Sequence, residues 1–169
     1  MAQKPVSLAN IVNATERILY GTRNFAAAAI AIGTTKSKVK TVNAINYCIN
    51  GLMFAKAATD DLFVFTTVAP VQGLLTTCYY LLCLDASGAS VVVNGTPMLT
   101  AAITATNYPA VPEIPLDANG IPTACPIGIV KVVCAAAATF TPGTTLLDAA
   151  NVTATYKDVS CMPLNGGSF

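Results

Sequence analysis

VKTVNAINYCINGLMFAK, running from Val39 to Lys56, is the stretch whose reading decides the fold. Its centre is Asn50-Gly51, with Tyr47-Cys48-Ile49 before it and Leu52-Met53-Phe54 after it. Asn-Gly between two apolar runs signals a β-hairpin, because a two-residue type I′ turn needs positive φ at both central residues. Glycine has no Cβ to clash there, and asparagine tolerates that region better than most side chains. Along the left arm Val39, Thr41, Asn43, Ile45, Tyr47 and Ile49 alternate onto one face, with Val42 and Ala44 on the other. The expectation is one long strand entering a tight turn. The acidic pair Asp60-Asp61 follows, expected as the turn that leaves the hairpin.

Working back toward the amino terminus, Ile30 and Ile32 alternate as a strand and Gly33-Thr34-Thr35 ends it. Before that, Leu8, Ile11, Val12, Thr15, Ile18 and Leu19 recur at helical spacing behind Ser7, a good N-cap. This predicts a short helix with a narrow apolar stripe that must lean on its own body or on a neighbour. Residues 1–27 therefore read as an arm, and residues 28–169 as the body.

Working forward, strands are expected at Leu62–Val68, Cys78–Leu84, Ala89–Val93, Ile127–Cys134 and Asn151–Val159. Asp85-Ala86-Ser87-Gly88 fits a type I turn, which favours Asp first and Gly last, and Asn94-Gly95 is expected to turn the chain again. Between them and the later strands lie Pro97, Pro109, Pro112, Pro115, Pro122 and Pro126. A central strand cannot absorb so many missing N–H donors, so 97–126 is read as a surface excursion. Seven or eight strands with tight turns predict a mostly β chain, an antiparallel β-sandwich or barrel-like domain with an N-terminal arm containing a short helix.

Composition bears on function. Hydrophobic residues make up 54% and charged residues 10%, against roughly a quarter charged in ordinary soluble domains. Such a surface is expected to be covered by partners. The net charge is +1, which favours neither nucleic acid nor an acidic ligand, and arginines are not interleaved with aromatics as single-strand binders require. Residues 1–40 carry Lys4, Arg17, Arg23, Lys36, Lys38 and Lys40 against Glu16, whereas the remainder carries three lysines against seven acids. A basic front on an acidic body can dock on a neighbouring subunit. Equally, Lys36, Lys38 and Lys40 can be the solvated side of one strand. No apolar run reaches the ~18–20 residues of a membrane helix, and the opening residues lack the layout of a secretory leader.

The residues argue against catalysis. Histidine is absent, which removes the commonest general base and any Ser-His or Cys-His pair. The six cysteines, Cys48, Cys78, Cys83, Cys125, Cys134 and Cys161, include no C-x-x-C pair, and most sit in apolar runs. They are expected to be buried free thiols in a reducing cytoplasm. No metal or cofactor is expected.

Several segments resemble virion structural proteins of tailed phages. These are Tyr47-Cys48-Ile49-Asn50-Gly51 with Phe54-Ala55-Lys56-Ala57-Ala58-Thr59-Asp60-Asp61, and Tyr79-Tyr80-Leu81-Leu82 leading to Leu84-Asp85-Ala86-Ser87-Gly88. The closing block is similar too: Pro126-Ile127-Gly128, Val130-Lys131-Val132, Phe140-Thr141-Pro142-Gly143-Thr144-Thr145, Leu147-Asp148-Ala149-Ala150 and Val152-Thr153-Ala154-Thr155-Tyr156. The similarity spans roughly residues 29–160, with cysteines where valine or alanine is more usual. The resemblance implies a capsid cement or decoration protein, made in the host cytoplasm and carried on the outer surface of the virion. Such proteins are often β-rich homotrimers that clamp the major capsid protein. The alternatives are a tail or head fibre module that binds the host surface, and a tail-tube or connector subunit. On the cement reading, inter-subunit contacts are expected from the arm and the proline excursion. The residues singled out are Arg17, Arg23, Lys36, Lys38, Lys40, Tyr108, Ile114 and Phe169.

Overall fold

The computed structural model describes residues 21–66 and 70–159. Its strands are β1 (Arg23–Asn24), β2 (Ile30–Ile32), β3 (Lys38–Thr41), β4 (Ile45–Ile49), β5 (Leu52–Lys56) and β6 (Thr59–Val64), followed by β7 (Thr76–Asp85), β8 (Ser90–Asn94), β9 (Met98–Leu99), β10 (Ala124–Cys134) and β11 (Val152–Asp158). All pairings are antiparallel. A large sheet runs β11-β10-β7-β8, with β9 also on β7, and two three-stranded sheets run β1-β4-β5 and β2-β3-β6. The chain is thus mostly β, as expected, with a sandwich-like arrangement. The expected helix at residues 7–19 lies outside the described residues.

The Asn50-Gly51 hairpin forms as read. Ile49 pairs with Leu52 across the turn, and φ is 50° at Asn50 and 81° at Gly51, the type I′ signature. A side chain with a Cβ is strained at that second position, by about 1–2 kcal/mol for a left-handed residue. Gly51→Val is therefore expected to lower stability by about that amount in urea titrations. An unchanged midpoint would mean that the turn relaxes to another type.

The left arm is not one strand. Val39 and Thr41 belong to β3 in one sheet, whereas Ile45, Tyr47 and Ile49 belong to β4 in another. At the break, the N–H groups of Val42 and Asn43 both donate to Ala28 O at 3.0 Å, and Asn43 Nδ2 donates to Ala27 O. Those bonds pull the backbone out of line. Asn43 faces solvent, while the other members of the expected apolar face stay buried.

Asp60-Asp61 also differs from expectation, because the pair lies inside β6 rather than in a turn. The β3–β6 register slips between Val39 and Thr41, and Asp61 takes a φ of 53°, so the strand bulges there. The bulge lets adjacent carboxylates reach the same loop. Thr34 N–H and hydroxyl donate to Asp60, and Thr35 N–H and hydroxyl donate to Asp61. The Thr34 hydroxyl first, then its backbone N–H, holds the Asp60 carboxyl below its ordinary value.

Two further boundaries move. Asn94-Gly95 does not reverse the chain: β8 and β9 both run along β7, and Gly95 N–H donates to Tyr79 O at 2.9 Å. A Cβ at Gly95 would lie 2.5 Å from that carbonyl, so the position needs glycine. Pro126 lies within β10 rather than in the excursion. There the register with β7 shifts, and pairing with β11 begins only at Gly128, so the missing donor faces no partner strand.

Strands β7 and β10 are buried on both faces along most of their length. One face packs Tyr80, Leu82, Leu84, Ile127, Val130 and Val132 against Ile30, Val39, Ile45, Tyr47 and Phe63 of the smaller sheets. On the other face, Tyr79, Leu81, Cys83 and Ile129 are covered in part by Val111 and Ile114 of the excursion. The excursion is therefore partly a third layer.

Candidate interaction surface

Two Asp-Ala-Xaa-Gly turns share one geometry. In Asp85–Gly88 the aspartate carboxylate accepts the N–H groups of Ser87 and Ala89, and in Asp117–Gly120 it accepts those of Asn119 and Ile121. In both, the glycine has a φ of 77° and its N–H donates to the aspartate carbonyl at 3.0 Å. These bonds hold both carboxyls below the ordinary range, chiefly through the Ser87 hydroxyl for Asp85 and the Ile121 N–H for Asp117. Both acids are turn formers, and for Asp85 the sequence indicated it.

The second of these turns meets the hairpin tip. Asn50 Nδ2 donates to Pro122 O at 2.9 Å, and Pro122 bridges to Leu116. From the other side, Thr22 and Asn50 are joined through the Thr22 hydroxyl, which accepts the Asn50 N–H at 3.2 Å. Three segments distant in sequence therefore converge on one asparagine. Close along the chain to these bonds, Leu52 is 67%, Leu116 51% and Ile121 45% exposed. A second exposed apolar group, Leu74, Leu75 and Leu99, sits where β9 begins to pair with β7, with Thr100 N–H on Leu75 O.

The residues singled out from sequence are distributed as follows. Arg17 and Phe169 lie outside the described residues. Arg23 is on β1, exposed, with its guanidinium 5.2 Å from the centroid of the Phe25 ring. Lys38 and Lys40 alternate on β3 with buried Val39 and Thr41. Lys36 Nζ lies 3.7 Å from Asp148, and Lys38 Nζ lies 3.9 Å from Asp61. Part-exposed pairs of this kind contribute at most about 1 kcal/mol each. Tyr108 stands 57% exposed, whereas Ile114 packs on the outer face of the large sheet. The fold thus pairs Lys36 and Lys38 with acids of their own chain, whereas Ile114 belongs to the outer face of the large sheet.

No family model, curated protein or solved structure matches the chain. Among the described residues no three His, Cys, Asp or Glu side chains converge as metal ligands. Cys48, Cys78, Cys83, Cys125 and Cys134 are buried with free thiols, and Cys161 lies outside the described residues. Burial pushes the Cys78 thiol up to about 11 and those of Cys83 and Cys125 up to about 12. Such thiols are poor nucleophiles near neutral pH.

The meeting of the Asn50 hairpin with the Pro122 segment escaped the sequence reading. The Asn50-Gly51 turn was legible from its flanking apolar runs. The meeting of the two segments was not, because Asn50 and Pro122 stand 72 positions apart along the chain.

Proposed function

We propose that this chain is a non-enzymatic structural protein of a tailed-phage virion, attached to the outer capsid surface as a cement or decoration protein. It acts as a homotrimer that contacts the major capsid protein and stabilises the shell. The observation that carries an assembly role is the pairing of low charge with large exposed apolar side chains: Leu52, Leu74, Leu75, Leu99, Tyr108 and Leu116. Exposed leucines this numerous on a weakly charged surface support contact with other proteins. The resemblance in Tyr47–Asp61, Tyr79–Gly88 and Pro126–Tyr156 supplies the virion context.

Function on this reading is mechanical. Specific attachment needs about 1,200–2,000 Å² of total buried surface per contact, and repetition around a shell multiplies modest affinity by avidity. The arm, residues 1–27, and the excursion, residues 97–126, provide the contacts.

The test is light scattering on the purified protein, followed by sedimentation with undecorated capsids. A discrete trimer that pellets with shells is expected, and removal of residues 1–20 is expected to weaken binding by about tenfold, or ~1.4 kcal/mol. A monomer that stays in the supernatant overturns the proposal. Rings or filaments would move the protein to the tail.

A further inference from the structure

Asparagine is followed by glycine at Asn50-Gly51, Asn94-Gly95 and Asn119-Gly120, and again at Asn165-Gly166 outside the described residues. A glycine in that place leaves the asparagine side-chain carbonyl carbon open to the next backbone nitrogen, because no Cβ shields it. Closing that ring requires the side-chain amide to swing free and the following peptide unit to rotate. The fold grants this freedom unequally.

At Asn50 both ends of the amide are held by distant segments. Its Nδ2 donates to Pro122 O at 2.9 Å, and its Oδ1 accepts the Thr22 hydroxyl at 3.4 Å. Asn94 ends β8, where it pairs with Tyr80, and its Oδ1 is buried. The peptide after it is fixed as well, since Gly95 N–H donates to Tyr79 O and Ala110 and Pro112 crowd the glycine. Asn119 differs. It is exposed, as is Gly120, where an added Cβ would meet nothing within 4 Å. The hydrogen bonds of Asn119 and of the Gly120 N–H all go to Asp117 in the same turn. No tie to another part of the molecule has to break.

We infer that Asn119 is a site of spontaneous covalent modification, deamidation through a succinimide, and that the fold protects Asn50 and Asn94 from the same reaction. Gly120 N gives up its proton and bonds to Asn119 Cγ, while the Cγ–Nδ2 bond breaks and ammonia leaves with that proton. Water then opens the ring at either carbonyl and leaves aspartate or isoaspartate. Either product sets a second carboxylate beside Asp117, in a chain whose formal net charge is +1. The proline excursion thus becomes more acidic with age. At Asn50 the same chemistry would set a carboxylate against Pro122 O, so the bonds that slow it also preserve that junction. The inference does not depend on the virion reading.

Peptide mapping by mass spectrometry, after incubation of the full-length protein in mildly alkaline buffer, tests it. In the folded protein Asn119 is expected to convert at least about tenfold faster than Asn50 or Asn94, a ratio that two modest hydrogen bonds suffice to produce. In urea the three are expected to convert at similar rates, because only the fold distinguishes them. Mapping reads each peptide separately, so Asn165 does not interfere. Folded protein in which Asn50 or Asn94 keeps pace with Asn119 overturns the inference. So does an Asn119 that keeps its amide in the folded protein while losing it in urea. The same preference for Asn119 in urea would also overturn it, by assigning the cause to the local sequence.

Discussion

Gln72→Leu is expected to lower unfolding stability by about 2–4 kcal/mol, although leucine nearly matches the volume of glutamine and is more apolar. Gln72 is fully buried. Its Nε2 donates to Thr76 O and Val132 O, both at 2.9 Å, and its Oε1 accepts the Tyr80 hydroxyl at 3.3 Å. Its backbone forms a reciprocal bridge with Phe140, at 2.9 and 3.0 Å. Around it, Phe65, Tyr80 and Phe140 pack edge to face with centroids 5.2 to 6.0 Å apart. One side chain thus ties the start of β7, the far end of β10 and the aromatic cluster together. Leucine leaves buried polar groups with fewer partners, and each unsatisfied group costs about 1–3 kcal/mol. Urea titration followed by tyrosine fluorescence reads the effect directly. A loss below about 0.5 kcal/mol would mean that the neighbours find other partners and that the network is incidental.

Raising the pH above 9 is expected to destabilise the fold steeply. Burial lifts the thiols of Cys78, Cys83 and Cys125 from 9.0 to about 11, 12 and 12, and it lifts the hydroxyl of Tyr80 as well. A raised folded value means that the folded state holds its protons more tightly. Stability is then complete below the unfolded value and is lost as pH rises toward the folded one. Each thiol's loss steepens toward about 1.4 kcal/mol per pH unit once the unfolded thiol is fully ionised. Because pH 9 is the midpoint for the unfolded thiols, three acting together remove about 3 kcal/mol between pH 9 and 10, a large share of the stability of a small domain. The acid side has the opposite sign. Asp60, Asp85 and Asp117 are held below 3.8, so their contribution is present above that value and fades as pH falls through the folded one. Urea midpoints in reductant at pH 7, 9 and 10 test the alkaline limb, and Cys83→Ala should make it shallower. A flat profile to pH 10 would contradict burial of these thiols.

These two predictions depend on burial that the sequence described unequally. Cys78 and Cys83 lie in an unbroken apolar run, so their burial followed from composition. Gln72 lies in Val71-Gln72-Gly73, where nothing distinguishes it from an exposed loop glutamine. Its importance arises from Val132, sixty residues away, and from Phe140.

The same division holds across the molecule. What the sequence determined alone was local: the type I′ turn at Asn50-Gly51, the Asp85–Gly88 turn, and the alternation of β11. It also determined the mostly antiparallel β class. Each depends on backbone preferences within a few residues, where steric and hydrogen-bonding rules act regardless of context. Tertiary structure decided where strands break and what they face. The bend at Asn43 depends on carbonyls at Ala27 and Ala28. The Asp61 bulge depends on the Thr34-Thr35 loop, and Pro126 is tolerated because β11 does not reach it. In each case the deciding partner is distant along the chain, and pairing energy gained across the sheet outweighs a preference worth about 1 kcal/mol or less.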